Sequence, residues 1–345
     1  MKLSVLDQSV VSSGRPQDEA IRNTVALATH CEAWGYDRFW VSEHHSLPSI
    51  AGTAPEVLLA AIAMRTTRIR LGSAGIMLPH YSAFKVAEQF RVLDALAPRR
   101  IDLGLGRAPG SDGRTSQLLN PDRYASDRFP QQVMELQAWV TGQTMPVGHP
   151  AHGVWAMPLS PTSPSLWILG SSNYGAQLAA HLGLPYAFAY FFSDGVGVEQ
   201  ALEIYRSQFR PSPYLDKPCA TICVSALAAD KEEDAWYQFQ SRARWCMDRN
   251  RGRVGPLLSP DDAVKDVSPQ EMAEMIAMRD TALVGNPTQA ADKLHSLAKQ
   301  LELDELVVCS WTHDPVVQLR SFELLAKSMG LADMASLPDP EAVIA

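Results

Sequence analysis

The chain has 345 residues, of which 46% are hydrophobic and 20% are charged, and this composition excludes a disordered protein. Its formal net charge of −8 argues against a nucleic-acid partner, because phosphate binding requires a basic surface. The N-terminal segment lacks the apolar core of a signal peptide, and no apolar run is long enough to cross a bilayer. We therefore expect a cytoplasmic protein, without a membrane partner, that acts on small molecules.

Short runs of β-branched or aliphatic residues alternate along the chain with segments of helical periodicity, which predicts βα units around a parallel sheet. The eight predicted strands are Leu3–Gln8, Arg38–Glu43, Ile69–Met77, Arg100–Gly106, Ser165–Gly170, Tyr186–Phe191, Cys219–Leu227 and Glu305–Ser310. An open doubly wound sheet would normally carry GxGxxG after its first strand, and this chain has none there. The sequence therefore predicts a single (β/α)8 barrel, a TIM barrel, over residues 1–345.

Two segments are too long for simple connections between barrel elements. Residues 107–128 follow the fourth strand, and residues 246–285 follow the helix after the seventh. Loops of this length are usually functional lids or disordered segments, and we expect the 246–285 insertion, which includes a short helix, to form a lid. Residues 142–164 contain five prolines and predict a small hairpin or an irregular loop. After the lid, Asn286 and Pro287 predict a helix that runs to about Gln300.

The second predicted strand ends at Glu43, and His44 and His45 follow it, at the end of a barrel where function collects. An imidazole accepts or donates a proton near neutral pH. Successive strand residues point to opposite faces, so only one of the two histidines faces the barrel mouth unless the strand has already ended. The alternative is that His45 only packs between two loops.

No residue pattern predicts a metal site. The five cysteines form no CxxC pair and no metal-finger spacing, so we expect reduced, mostly buried thiols. The His44–His45 pair lacks a third ligand at a convincing spacing.

Small residues lie at the end of the third predicted strand, in the segment GSAGIMLP, residues 72–79. They allow a planar ligand to approach the backbone closely, or alternatively form a glycine bulge that curves the barrel.

Arg107 follows two glycines after the fourth strand, and its guanidinium suits bidentate contact with phosphate. An ion pair with a loop carboxylate is the alternative. Gly170, Ser171 and Ser172 come immediately before a predicted helix, where hydroxyls and backbone N–H groups bind anions or simply cap the helix. An arginine and a serine-rich helix start on adjacent strands can hold one phosphate between them, which suggests a phosphorylated cofactor.

The segments EHH, GSAGIMLP, LGLGRAPG and LGSSNYGAQLAAHLG, which follow strands 2 to 5, resemble those of the bacterial-luciferase-like flavin-dependent monooxygenases. The resemblance extends from Met1 to about Met329. It implies that His44 is catalytic and that Ala74–Gly75 is a cis peptide against a flavin ring. The cofactor-binding residues that it implies, with the adjoining Gly170, are Ala74, Gly75, Arg107, Gly170, Ser171, Ser172 and Tyr174. Gly106 stands where light-emitting luciferase has a reactive cysteine, which argues against light emission.

The same resemblance implies a mechanism. Reduced FMN from a separate reductase reacts with O₂ to form a C4a-peroxyflavin, which oxygenates a small organic substrate. Phe191, Phe192 and Trp311 are expected to line an apolar or aromatic substrate pocket, with core packing as the expected role of at least one of the three. We also expect a homodimer packed through the second and third βα units. Two other functions stay open, namely deazaflavin-dependent hydride transfer on the same type of barrel and a non-catalytic flavin-binding subunit.

Overall fold

The computed structural model describes residues 1–331, which contain nine parallel strands. They are β1 (Lys2–Asp7), β2 (Arg38–Val41), β3 (Arg70–Met77), β4 (Ile101–Gly106), β5 (Ser165–Gly170), β6 (Tyr186–Phe188), β7 (Ala220–Ala228), β8 (Leu283–Gly285) and β9 (Glu305–Cys309). Strands β1 to β7 pair in order, β7 pairs with β9, and β9 pairs with β1, so the sheet closes. The predicted eight-stranded TIM barrel is confirmed, while the predicted domain end at residue 345 lies outside the described residues.

Helices fill the connections between strands. They are α1 (Gln17–Ala33), α2 (Pro55–Ala63), α3 (Ala83–Leu96), α4 (Gly113–Leu119), α5 (Phe129–Val140), α6 (Asn173–Leu182), α7 (Val198–Gln208), α8 (Glu232–Asn250), α9 (Pro260–Ala263), α10 (Pro269–Ala277), α11 (Pro287–Gln300) and α12 (Pro315–Ser328). Local chemistry sets several of their ends. At α11 the Asn286 side chain accepts from the Gln289 backbone N–H at 3.0 Å, and the Gln289 side chain accepts from the Asn286 N–H at 2.9 Å. The predicted start and end of this helix are confirmed.

The strands differ from the prediction by more than one residue in three places. β2 ends at Val41 and β6 ends at Phe188, because the chain turns away from the sheet after each of them. After β6 it forms a 3-10 turn at Tyr190–Phe192. The three-residue strand β8 was not predicted, since a run this short has no periodicity, and it pairs with β7 outside the closed barrel. Residues 142–164 contain no strand, so of the two predicted alternatives the irregular loop is correct.

Alternate residues of each strand point into the barrel and fill its N-terminal end. Asp102 on β4 is fully buried there. It accepts hydrogen bonds from Arg38 Nη1 at 2.9 Å and from Trp40 Nε1 at 3.0 Å, while Arg38 Nε also donates to Glu305 at 2.8 Å. The Trp40 and Trp167 rings form the next layer, edge to face with centroids 5.2 Å apart. Space for a ligand therefore remains at the C-terminal ends of the strands.

Residues 1–331 contain no helix that is both long and apolar enough to cross a membrane. The five cysteines are free thiols, of which Cys31, Cys223 and Cys309 are buried and Cys219 and Cys246 are partly exposed. Over the same range, no group of three or more His, Cys, Asp or Glu side chains is arranged to hold a metal ion.

Candidate functional site

A cavity of about 250 Å³ opens at the C-terminal ends of the barrel strands. Its lining includes the following predicted site residues: His44, Ala74, Gly75, Arg107, Gly170, Ser171, Ser172, Tyr174 and Phe191. These residues come from five different βα connections, and closure of the barrel brings them together. Trp311 does not line this cavity, but it donates a hydrogen bond to Gln8, which does.

His44 lies in the cavity wall, in phase with the inward-facing residues of β2. Its Nε2 is 3.4 Å from the side-chain Nε2 of Gln8, whose Oε1 accepts from Trp311 Nε1 at 3.0 Å. Because an indole N–H only donates, the Gln8 oxygen faces Trp311 and its NH₂ group faces His44. His44 Nε2 must then be the unprotonated acceptor, with the ring proton on Nδ1.

The pKa of His44 is lowered, chiefly because burial disfavours the imidazolium. The nearby carbonyl of Gly110 and the carboxylate of Glu43 oppose this effect, and His45 adds to it. The neutral imidazole therefore predominates at neutral pH, in agreement with the acceptor role of Nε2.

Glu43 holds the loop that carries His44. Its buried carboxylate accepts hydrogen bonds from Tyr81 Oη at 2.7 Å and from the Met77 backbone N–H at 3.0 Å, and it lies 2.7 Å from His45 Nε2. These contacts join the end of β2 to the end of β3. The imidazole of His45 is therefore directed at Glu43, and His45 is not part of the cavity lining.

Arg107 and the start of α6 form one polar corner of the cavity. The Arg107 guanidinium stacks on the Tyr174 ring, 3.9 Å from its centroid. Arg107 is exposed and forms no ion pair with any carboxylate of residues 1–331, so the ion-pair alternative is wrong within that range. Ser172 occupies the N-cap position of α6, but its side chain makes no capping hydrogen bond. The hydroxyl and the first N–H groups of the helix are thus available to an anion.

The Ala74–Gly75 segment of β3 forms another wall, and the peptide bond between these two residues is cis, as the family resemblance implies. A side chain at position 75 has no room, since a Cβ there would lie 2.7 Å from the Gly104 carbonyl oxygen and 2.5 Å from a Leu169 methyl carbon. Gly75 is therefore required for close packing between β3, β4 and β5.

Much of the remaining cavity lining is apolar. It includes Leu6, Trp40 and Leu169, with Phe191 and Phe192 at the rim, their ring centroids 4.4 Å apart. Gln8, whose side chain contacts His44 Nε2, was not predicted as a site residue. Its position in phase with inward-facing Ser4 and Leu6, directly after β1, was a signal that could have identified it.

Trp311 is buried and packs against Trp245, with ring centroids 4.5 Å apart, and against Ile50 and Leu257. Its link to the site is the hydrogen bond to Gln8. The predicted lid, residues 246–285, also lies outside the lining of this cavity and instead borders a second cavity that shares Phe191 and Phe192 with the first.

Residues 1–304 match the family model of luciferase-like monooxygenases. A luciferase-like monooxygenase of Escherichia coli K12 is 40% identical over 325 residues, which cover 93% of this chain and 95% of that protein. An N-acetyl-S-alkylcysteine monooxygenase of Bacillus subtilis is 34% identical over 334 residues, covering 95% of this chain and 98% of the relative.

Among solved structures, apo-MsnO8 is 34% identical, with a TM-score of 0.87 over 96% of this chain and 99% of its own. Two more distant structures share the fold. The FMN complex of the oxygenating constituent of 3,6-diketocamphane monooxygenase is 16% identical with a TM-score of 0.67, covering 95% of this chain and 97% of its own. An F420-dependent secondary alcohol dehydrogenase is 14% identical with a TM-score of 0.66, covering 95% and 99%. The model match and the identities to full-length relatives establish that this chain belongs to the luciferase-like monooxygenase family.

Proposed function

We propose that this protein is an FMN-dependent monooxygenase that uses reduced FMN and O₂ to oxygenate a small organic substrate. The observation that carries the proposal is the polar corner made by Arg107, Tyr174 and the uncapped start of α6, which faces the same cavity as His44. A guanidinium opposite a helix N-terminus suits one terminal phosphate, which FMN has. The presence of both Arg107 and His44 in one cavity argues against a non-catalytic subunit.

The residues fit the cofactor in charge and in shape. Arg107, Ser171 and Ser172 would hold the phosphate, and Tyr174 would hold Arg107 in place through ring stacking. Ala74 and Gly75, with Leu6 and Leu169, offer a flat and mostly apolar surface to the isoalloxazine ring. When bound, reduced FMN supplies the electrons that activate O₂, and the protein supplies position and exclusion of water.

His44 is the residue that we assign to proton transfer. Its Nε2 carries a lone pair and makes only a long contact of 3.4 Å with Gln8, so it can accept a proton from a group bound in the cavity. Gln8 and Trp311 act as positioning residues, because they hold the imidazole in one tautomer. Once protonated, His44 can return the proton to a developing oxyanion.

The names of the relatives support oxygenation over hydride transfer. A full-length relative at 34% identity is named a monooxygenase, whereas the F420-dependent dehydrogenase is 14% identical and shares only the fold. The named substrate of that relative, an N-acetyl-S-alkylcysteine, contains a thioether and a carboxylate, and it is the first compound class that we would assay.

Titration of the protein with FMN, FAD and a deazaflavin tests the cofactor assignment. FMN should bind most tightly, because the corner at Arg107 matches a single terminal phosphate. Tighter binding of the deazaflavin would favour the hydride-transfer alternative. The proposal also includes a separate flavin reductase, so NADH and FMN should support product formation only after a reductase is added.

We also propose a homodimer packed through α2 and α3. Exposed apolar side chains lie on this face, with Val57 and Met64 on or next to α2 and Val92 and Leu96 on α3. Light scattering at micromolar concentration should give a dimer mass for the natural protein and a monomer mass for Val57→Glu combined with Val92→Glu. Leu118→Glu, at a still more exposed apolar site on α4, is the control and should leave the mass unchanged. A monomeric natural protein would contradict this assembly.

A further inference from the structure

A second cavity of about 280 Å³ adjoins the first at the barrel mouth. Phe191 and Phe192 line both cavities and form the wall between them. Cys223 on β7 faces the first cavity and Ser225 faces the second, so the second lies about 6–7 Å farther along the same face of that strand. Helix α8 and residues 278–283 of the predicted lid complete its wall.

The unusual feature of this cavity is Arg242 on α8, which is only 6% exposed and lines the cavity wall. Its Nη2 donates to the Phe191 carbonyl oxygen at 3.3 Å, its one hydrogen bond within residues 1–331. Over that range, no carboxylate lies within 4.0 Å of it. Arg244, two residues later on the same helix, instead pairs with Asp248 at 2.7 Å. The remaining donors of Arg242 face the cavity, where water or a ligand can accept from them, and an anionic ligand would also offset the cost of burying the positive charge.

The other charged residues around the cavity leave it with a net positive charge. Arg249 lines it too, and its Nη2 donates to the Phe192 carbonyl oxygen at 3.3 Å and to Asn250 Oδ1 at 3.0 Å. Asp194 contributes one carboxylate to the lining, and it forms no ion pair with either arginine. Arg242, Arg249 and Asp194 together carry a net charge of about +1, and one bound carboxylate neutralises this charge better than a phosphate dianion does.

We propose that this second cavity binds the carboxylate of the substrate through Arg242, while the reacting part of the substrate passes Phe191 and Phe192 to reach His44. This inference rests on the proposed monooxygenase function and names the substrate class, a small organic molecule with one carboxylate and an apolar arm. Phe191 would contact the apolar arm and hold Arg242 through its carbonyl oxygen. Arg242 is thus a specificity residue rather than a catalytic one.

Matched acid and amide probes test the site, because they differ only in the group that Arg242 would bind. Calorimetry on the FMN-loaded protein would use N-acetyl-S-butylcysteine and its amide, and then hexanoate and hexanamide. The natural protein should bind each acid about 10- to 150-fold more tightly than its amide, the effect of a hydrogen bond to a charged group. Arg242→Gln should remove this preference and leave the affinity for the amides unchanged. Arg244→Gln, on the same helix but paired with Asp248, should keep it.

Arg242→Lys guards against a folding defect in the glutamine variant, since it retains the charge and should retain part of the preference. Equal affinity of the natural protein for acid and amide in both pairs, including undetectable binding of all four at millimolar concentration, overturns the proposal. A full preference in a folded Arg242→Gln protein overturns it as well. Repeating the calorimetry without FMN separates the two hypotheses. If the protein prefers acids but does not bind FMN, only the proposed oxygenase function is wrong. If it binds FMN normally but shows no preference for acids, only the proposed carboxylate site is wrong.

Discussion

Replacing Arg107 with alanine tests whether the polar corner of the first cavity binds a phosphate. Arg107 is exposed and stacks on Tyr174 at 3.9 Å, so the change removes one guanidinium without opening a hole in the core. Lost hydrogen bonds to a charged group cost about 1.5–3 kcal/mol, which corresponds to a loss of about 10- to 150-fold in FMN affinity. The stack on Tyr174 exists before FMN binds, so its own energy does not add to this loss. Solvent screening at an exposed site favours the lower end of the range.

Fluorescence titration with FMN and with riboflavin, which lacks the phosphate, provides the measurement. Arg107→Ala should weaken FMN binding by that factor and leave riboflavin binding almost unchanged. Added salt should weaken FMN binding to the natural protein more than to the variant, because the lost interaction is ionic. Arg114→Ala is the matched control, since Arg114 is exposed on α4, in the same connection between β4 and α5, and does not line the cavity. Unchanged FMN affinity in Arg107→Ala, or an equal loss for riboflavin, would refute the assignment of the phosphate to this corner.

His44→Ala should still bind FMN but lose product formation by about 10²- to 10⁴-fold and release hydrogen peroxide instead, whereas His45→Ala should show a smaller loss through loop order. A coupled assay with a reductase and peroxide detection checks this, and the reverse ranking would mean that the two histidines have been exchanged. Burial lowers the pKa of His44, so its neutral form contributes to stability above the ordinary histidine pKa. That contribution to stability is lost as the pH falls through the lower pKa that His44 has in the folded protein, and the turnover that depends on His44 should fall in the same acidic range. Urea titrations and turnover rates measured over a series of pH values would detect both effects. Asp102→Ala should lower the free energy of unfolding by about 3–5 kcal/mol, because Arg38 loses a fully buried partner. Asp18→Ala, which breaks an exposed pair on α1, should change it little in the same urea experiment, and similar values for both variants would contradict this account.

Features that depend on nearby residues could be predicted from the sequence. The apolar runs located all eight barrel strands, because strands covered on both faces must be continuously apolar. Asn286 and Pro287 marked the first turn of α11, since a cap involves only residues three positions apart. Arg107, Ser171 and Ser172 could be proposed as neighbours because the ends of parallel strands meet at one rim of a barrel.

Only the tertiary structure assigned different roles to residues with similar sequence signals. His44 and His45 are adjacent, yet one faces the cavity and the other faces Glu43. The contact of Trp311 with Gln8 joins residues 303 positions apart, and it places Trp311 behind the site instead of in its lining.

Arg242 gave no signal at all in the sequence. The role that we propose for it depends on its having no carboxylate partner within residues 1–331, and a sequence does not reveal the partners of a buried charge. The predicted lid is a similar case. The length of the 246–285 segment could be read from the sequence, but its position beside the second cavity depends on contacts with distant residues. Periodicity and caps are local and can be read along the chain, whereas burial, ion pairing and the tautomer of His44 arise only when distant strands close the barrel.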